Sequence, residues 1–148
     1  MRAVTHPLQF AAAPAQSLAA MLDEARAGLR RVRPEDLEAA RVQGALIVDH
    51  RDSADQRREG VIPGSVIIRR SVLEWRLAPS SPWREVPVDA SSHIICVCND
   101  GESSSLAAAS LQRLGLVRAT DLIGGYRAWA ARADSEPCSP DDVPTCSC

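Results

Sequence analysis

An α/β fold with a central, mostly parallel sheet flanked by helices is what the sequence predicts, and three observations predict it. Short continuous apolar runs, "ALIVD" (45–49), "VIIR" (66–69), "HIICVC" (93–98) and "ATDLI" (119–123), read as buried strands. Stretches of helical periodicity lie between them, and alternating strands and helices imply crossover connections and parallel pairing. The chain has 148 residues, 45% of them hydrophobic and 24% charged, which suits one domain with a real core.

The elements follow in order. Residues 1–16 carry little pattern and are expected to be a flexible N-terminus. From Ser17, an expected N-cap, the apolar residues Leu18, Met21, Leu22, Ala25 and Leu29 mark an amphipathic helix over 17–33, with Arg30, Arg31 and Arg33 near its C-terminal end. Pro34-Glu35-Asp36 opens a second short helix that Gly44 closes. The polar "HRDSADQRREG" reads as a loop with at most a helical turn, and Ile62-Pro63-Gly64-Ser65 as a turn before the next strand. "SVLEWRL" is a brief helix and "APSSPWREVPVDASS" a connector; helices follow over 104–114 and 126–132. The body of the domain therefore spans 17–132. Residues 133–148 are Pro/Ser/Asp-rich without periodicity and are expected to be a flexible, cysteine-containing tail. Trp75, Trp83 and Trp129 are expected to be packing residues, and His50 and His93 strand-end or surface residues without a catalytic role.

A formal net charge of -2 leaves no nucleic-acid footprint, and no apolar run is long enough to span a membrane. The N-terminus lacks the basic region and unbroken apolar core of a signal peptide, so a cytoplasmic location is expected. Cys96, Cys98, Cys138, Cys146 and Cys148 are odd in number and unevenly placed, which describes reduced thiols better than a disulfide framework. Neither a metal site nor a cofactor is expected.

The informative stretch is "IICVCNDGESSSLAAASLQRLG" (94–115), where a buried strand ends in a thiol and a helix begins beyond a polar loop. Ligands of open α/β sheets bind beyond the carboxyl ends of the strands, where Cys98 sits. The following helix aims its free N–H groups back at the loop, and Gly101 can take the positive φ that curls them inward. Such a cradle favours the thiolate, the nucleophilic form, while Cys96, inside the strand, reads as a core residue.

Four motifs in order now resemble the rhodanese-like sulfurtransferases, over about 34–132. "LIVDHR" resembles the motif in which a strand ends in Asp-x-Arg, here Asp49 and Arg51. "VIPGSVII" resembles His-Ile-Pro-Gly-Ala, with Val61 where histidine is usual. "CNDGESS" stands in place of the active-site loop, and "LIGGYRAW" resembles Leu-x-Gly-Gly-x-x-x-Trp. The resemblance implies a rhodanese-like fold and catalysis by Cys98. It implies substrate binding by Asn99, Asp100, Gly101, Glu102, Ser103, Ser104 and Arg51, with Asp49 as structural support; a purely structural Asp49–Arg51 pair is the alternative. It also implies a two-step relay: Cys98 takes a sulfane sulfur from thiosulfate or a persulfide, then yields it to a thiol or protein sulfur acceptor.

The loop departs from the family pattern in carrying Ser103 where many single-domain members have arginine, and in its acids Asp100 and Glu102, which disfavour a dianionic donor. A phosphatase would need cysteine, five residues and then arginine, whereas Ser104 fills that sixth place. A non-catalytic binding module or a persulfide carrier in a sulfur-incorporation pathway are the other readings, and retention of Cys98 argues against the former. The tail thiols Cys138, Cys146 and Cys148 could serve as a swinging acceptor if the tail is mobile.

Overall fold

The computed structural model describes residues 14–147. Most of the expected N-terminal extension (1–13), and Cys148, lie outside the described residues. Strands β1 (Leu46–Asp49), β2 (Val66–Ile67), β3 (Ile94–Val97) and β4 (Ala119–Asp121) form a four-stranded sheet in the order β2-β1-β3-β4. Every pairing is parallel. Beyond β4, Val32 adds an isolated parallel bridge to Leu122. Helices α1 (Leu18–Ala27), α2 (Leu37–Val42), α3 (Ser53–Glu59), α4 (Leu73–Leu77), α5 (Ser103–Arg113) and α6 (Gly125–Ala130) fill the connections.

Burial on both faces follows from the β-branched runs. Val48, Ile94 and Cys96 pack with Leu73 and Leu77 of α4 and with Ala107, Ala108 and Leu111 of α5. On the other face Ile47, Ile95 and Val97 meet Leu37 of α2 and Tyr126 of α6. This alternation along β1 and β3 is the period of two expected of strands.

Three expectations need correction. The first helix stops at Ala27, with Gly28 at its C-cap, instead of running to residue 33; beyond it, Val32 hydrogen-bonds to β4. The polar segment after β1 forms the full helix α3, because the Asp52 side chain accepts from Ala54 N at its start and Gly60, at φ 84°, ends it. Trp75 and Trp83 are exposed at 55% and 64%, so of the tryptophans only Trp129, tilted against Tyr126 at 5.6 Å, packs as expected.

The expected flexible tail is also placed otherwise. Cys138 and Val61 exchange two backbone hydrogen bonds of 3.0 Å, Ile67 N donates to Pro144 O at 2.8 Å, and Cys146 N donates to Ile67 O at 2.9 Å. Cys146 is buried in the core. Composition marked this segment as unable to pack by itself, but β2 is an edge strand whose free N–H and C=O groups need partners, and the tail supplies them. Cys138 and Cys146 are pinned in this way and do not swing, while the expectation for Cys148 lies outside the described residues. Ending the chain after Ala133 is expected to lower the melting temperature by several degrees and to increase self-association through the bared edge. Thermal unfolding and size-exclusion chromatography read both effects.

Candidate active site

Strand β3 delivers Cys98 one residue past its end, and the loop 99–102 then turns into α5. Gly101 makes the turn at φ 79°, and a Cβ there would lie 2.5 Å from Gly124 N, so only glycine fits. Its carbonyl faces away from the thiol and accepts from Arg26 Nη2 and Arg31 Nη2, each at 2.9 Å. Cys98 O and Asn99 O also turn outward, accepting from Tyr126 N (2.8 Å) and Arg127 N (3.1 Å). The paired glycines before α6 allow this approach: a Cβ on Gly125 would lie 2.6 Å from both carbonyl oxygens.

With those carbonyls engaged elsewhere, N–H groups are left for the sulfur. Gly101 N lies 3.2 Å from Cys98 Sγ and Ser104 N lies 3.4 Å from it. The thiol donates to Ser104 Oγ at 3.2 Å, and that hydroxyl donates to Asp121 Oδ2 at 2.8 Å. Asp121 is fully buried and held by the Arg31 guanidinium at 2.8 Å and by the Ser105 hydroxyl at 2.8 Å. Ser104 has a single hydroxyl proton. When Cys98 ionises, that proton can turn to the thiolate while Arg31 and Ser105 keep Asp121 satisfied. Burial pushes the Cys98 pKa up, but hydrogen bonds from Ser104 and Ser103 and from the backbone N–H groups of Ser104 and Gly101 outweigh it. The thiol therefore titrates below its ordinary value. Cys96 is fully buried and burial pushes its pKa far upward, which makes it inert.

The remaining expected site residues divide. Arg51 lies under the loop, its guanidinium on the Asp49 carboxylate (2.8 Å) and Gly60 O (2.7 Å) and 3.7 Å over the Tyr126 ring. Asp49 is fully buried, and Gln56 of α3 adds a bond to it. The structural alternative for the pair is the one this burial favours: the Arg51 side chain is fully buried, and among the described residues its Nη1 has no partner. Removing either member of such a buried pair costs about 3–5 kcal/mol. Asn99 lines the cleft but ties the loop to α3 through Asp55 (2.9 Å). Ser104 is completely buried against the Cys98 thiol and does not line the cleft, unlike the other loop residues Asn99, Asp100, Glu102 and Ser103. Asp100 turns to Arg127 (3.2 Å), which leaves Asp52 and Glu102 as exposed acids lining the cleft without an ion-pair partner among the described residues.

Above Cys98 opens a cleft of about 450 Å³. Leu18 and Leu22 of α1 and Leu106 of α5 form an apolar wall, faced by Arg70 and His50. Sequence reading missed Arg70 and placed His50 at a strand end or on the surface. His50 is buried at 6% exposure, because the strand ladder continues through it. Among the described residues no cluster of His, Cys, Asp and Glu is placed to hold a metal ion.

Residues 33–132 match the rhodanese-like domain. The chain belongs to the rhodanese-like family. The domain is 32% identical over 107 residues to the thiosulfate sulfurtransferase GlpE of Pseudomonas savastanoi pv. phaseolicola, covering 72% of this chain and 92% of that protein. A protein of unknown function from Rhodopseudomonas palustris, described as a possible tyrosine phosphatase, matches in structure with a TM-score of 0.68 and 31% identity. That match covers 80% of this chain and 92% of the other. The human single-domain sulfurtransferase TSTD1 matches with a TM-score of 0.60 and 25% identity, over 70% of this chain and 97% of the other. These matches support the rhodanese-like fold expected from the four motifs.

Two outcomes follow for the rhodanese-like site. Ser104→Ala removes a donor to the thiolate and is expected to raise the pH midpoint of Cys98 alkylation, read by mass spectrometry. Burial depresses the His50 pKa to about 4 from 6.5, with the Asp49 charge opposing and Arg70 reinforcing the shift. In that window the unfolded chain binds the extra proton, so stability is full above about 6.5 and falls as pH drops towards 4. His50→Gln is expected to flatten the loss of melting temperature over that range.

Proposed function

We propose that this protein is a rhodanese-type sulfurtransferase that moves a sulfane sulfur from thiosulfate or a persulfide to a thiophilic acceptor through a persulfide on Cys98. The observation that carries this reading is a single thiol at the base of an open cleft with two backbone N–H groups and a serine hydroxyl on its sulfur. Those groups favour the thiolate for attack on the donor and offer donors to the anion that forms. The family match and the activity named for the Pseudomonas relative support it.

In the first step Cys98 thiolate attacks the outer sulfur of the donor, whose sulfite or thiolate departs. In the second an acceptor thiol takes that sulfur and frees Cys98. Gly101 and Ser104 hold the sulfur, while Glu102 at the rim acts against a dianionic donor; Arg70, whose Nη1 is held by Glu74, lines the cleft and adds positive charge there. A cytoplasmic setting suits the chain, since Cys96, Cys98, Cys138 and Cys146 are all unpaired thiols. Among the described residues no helix is long and apolar enough to cross a membrane.

Phosphatase chemistry, suggested by the description of the Rhodopseudomonas structure, is disfavoured. Ser104 occupies the sixth place after Cys98, and the next arginine in the sequence is Arg113. A non-catalytic module has no use for a thiol with a lowered pKa at the base of a cleft.

Intact-mass spectrometry after incubation with thiosulfate or a small persulfide tests the reading. The expected result is a gain of one sulfur, lost on adding cyanide. Cys98→Ser is expected to abolish that gain and Cys96→Ser to leave it; a protein that never gains sulfur from either donor refutes the assignment. Because Asp100 is paired and Glu102 is not, Glu102→Arg is expected to raise thiosulfate turnover more than Asp100→Asn does. That advantage should shrink at high salt, as steady-state rates would reveal.

A further inference from the structure

His50 has no part in the relay just described, yet the strand register places it beside the nucleophile. Asp49 of β1 pairs with Val97 of β3, and His50 N donates to Val97 O at 3.1 Å. The ladder thus runs one residue past both strands and sets His50 abreast of Cys98. Side chains alternate along a strand, so His50 shares the face of Val48, as Cys98 shares that of Cys96, and Val48 and Cys96 pack in one core cluster. The imidazole is buried and lines the same cleft as Cys98. Among the described residues its Nε2 has no hydrogen-bond partner. A buried nitrogen left unsatisfied costs about 1–3 kcal/mol, which a hydrophobic residue at this place would avoid. The two neighbours of His50, Asp49 and Arg51, are bound to each other, so neither is free to move a proton.

We propose that His50 is the base of the second half-reaction, taking the proton of an acceptor thiol as that thiol attacks the persulfide on Cys98. This rests on the sulfurtransferase reading. The acceptor S–H bond breaks and its proton passes to Nε2. A bond forms between the acceptor sulfur and the outer sulfur of the persulfide. The bond from that outer sulfur to Cys98 Sγ breaks, and its electron pair returns to Sγ as a thiolate under the N–H groups of Gly101 and Ser104. The acceptor leaves as a persulfide anion and the imidazolium releases its proton to water. No outside oxidant or reductant is needed.

The charged groups around His50 fit the task. In the resting site burial keeps the ring neutral; Asp49 on its own strand and Asp121 on β4 draw protonation up, and Arg70 opposes it. Glu102 stands at the rim before α5, and α1 presents only Leu18 and Leu22 to the cleft. A persulfide anion in the cleft adds negative charge beside the ring and raises its basicity in the loaded state alone.

The test uses the full-length protein loaded with one sulfur, the load being verified by mass before transfer is timed. Single-turnover transfer is followed to 2-mercaptoethanol, which brings a proton, and to sulfite in mildly alkaline buffer, which brings none. His50→Gln, close in size but not a base, is expected to slow transfer to the thiol by roughly a hundredfold. Transfer to sulfite should stay within about twofold, the spread of a site left otherwise intact. The thiol rate of the variant should follow the thiolate fraction of the acceptor as pH changes, more steeply than that of the parent. His50→Ala gives a second measure, since free imidazole should restore transfer to the thiol and not alter transfer to sulfite. Equal losses with both acceptors, or an unchanged thiol rate, overturn the role of His50 and leave the relay standing. A protein that cannot be loaded overturns both.

Discussion

The outward turn of three carbonyls, those of Cys98, Asn99 and Gly101, is the constraint on which the site depends. A loop that cups its N–H groups round a sulfur must place its C=O groups elsewhere, and buried carbonyls without donors are costly. Here α6 takes the first two through Tyr126 N and Arg127 N, and the guanidinium groups of Arg26 and Arg31 share the third. Steric room for this comes from Gly101 and Gly125, where a side chain would run into opposing backbone. Strand β4, α6 and the segment around Arg26 and Arg31 are thus needed at one place to orient a few backbone atoms.

The same economy governs charge. A thiolate surrounded by carboxylates would be discouraged, and this chain carries more acids than bases. Its buried acids are nevertheless each committed: Asp49 to Arg51 and Gln56 below the loop, Asp121 to Arg31 and two serine hydroxyls behind it. Asp100 is drawn to Arg127. The negative charge near Cys98 is therefore spent on holding structure, and the sulfur meets mainly N–H and O–H donors.

How much of this could be read in advance depended on whether a feature is local. The parallel sheet and the position of Cys98 came from apolar runs and from the loop residues, which act where they stand. Asp52 before α3 and Gly60 after it were also local signals, and were passed over because the segment between them is so polar. The tail was misread for another reason: its composition is that of a disordered chain, and what orders it is the open edge of β2, distant in sequence. His50 does stand at a strand end, as expected, but its burial abreast of Cys98 depends on register with β3, which no local signal in the sequence carries. Arg31 read as one of three cations ending a helix, and Arg26 carried no signal of its own; nothing in their spacing pointed to Gly101 or Asp121.

Helix α1 and Arg31 lie before residue 33, where the match to the family begins. Yet they supply two clamps on the loop and, through Leu18 and Leu22, one wall of the cleft. The unit that supports the site is then larger than the matched domain at this end, as at the other, where the tail covers the edge of β2. Substitutions at Leu18 or Leu22, which belong neither to the sheet nor to the loop, would reshape the entrance while the clamps from Arg26 and Arg31 stay in place. Such a roof, lying outside the matched domain, is a part of the cleft that can vary while the loop around Cys98 keeps its form.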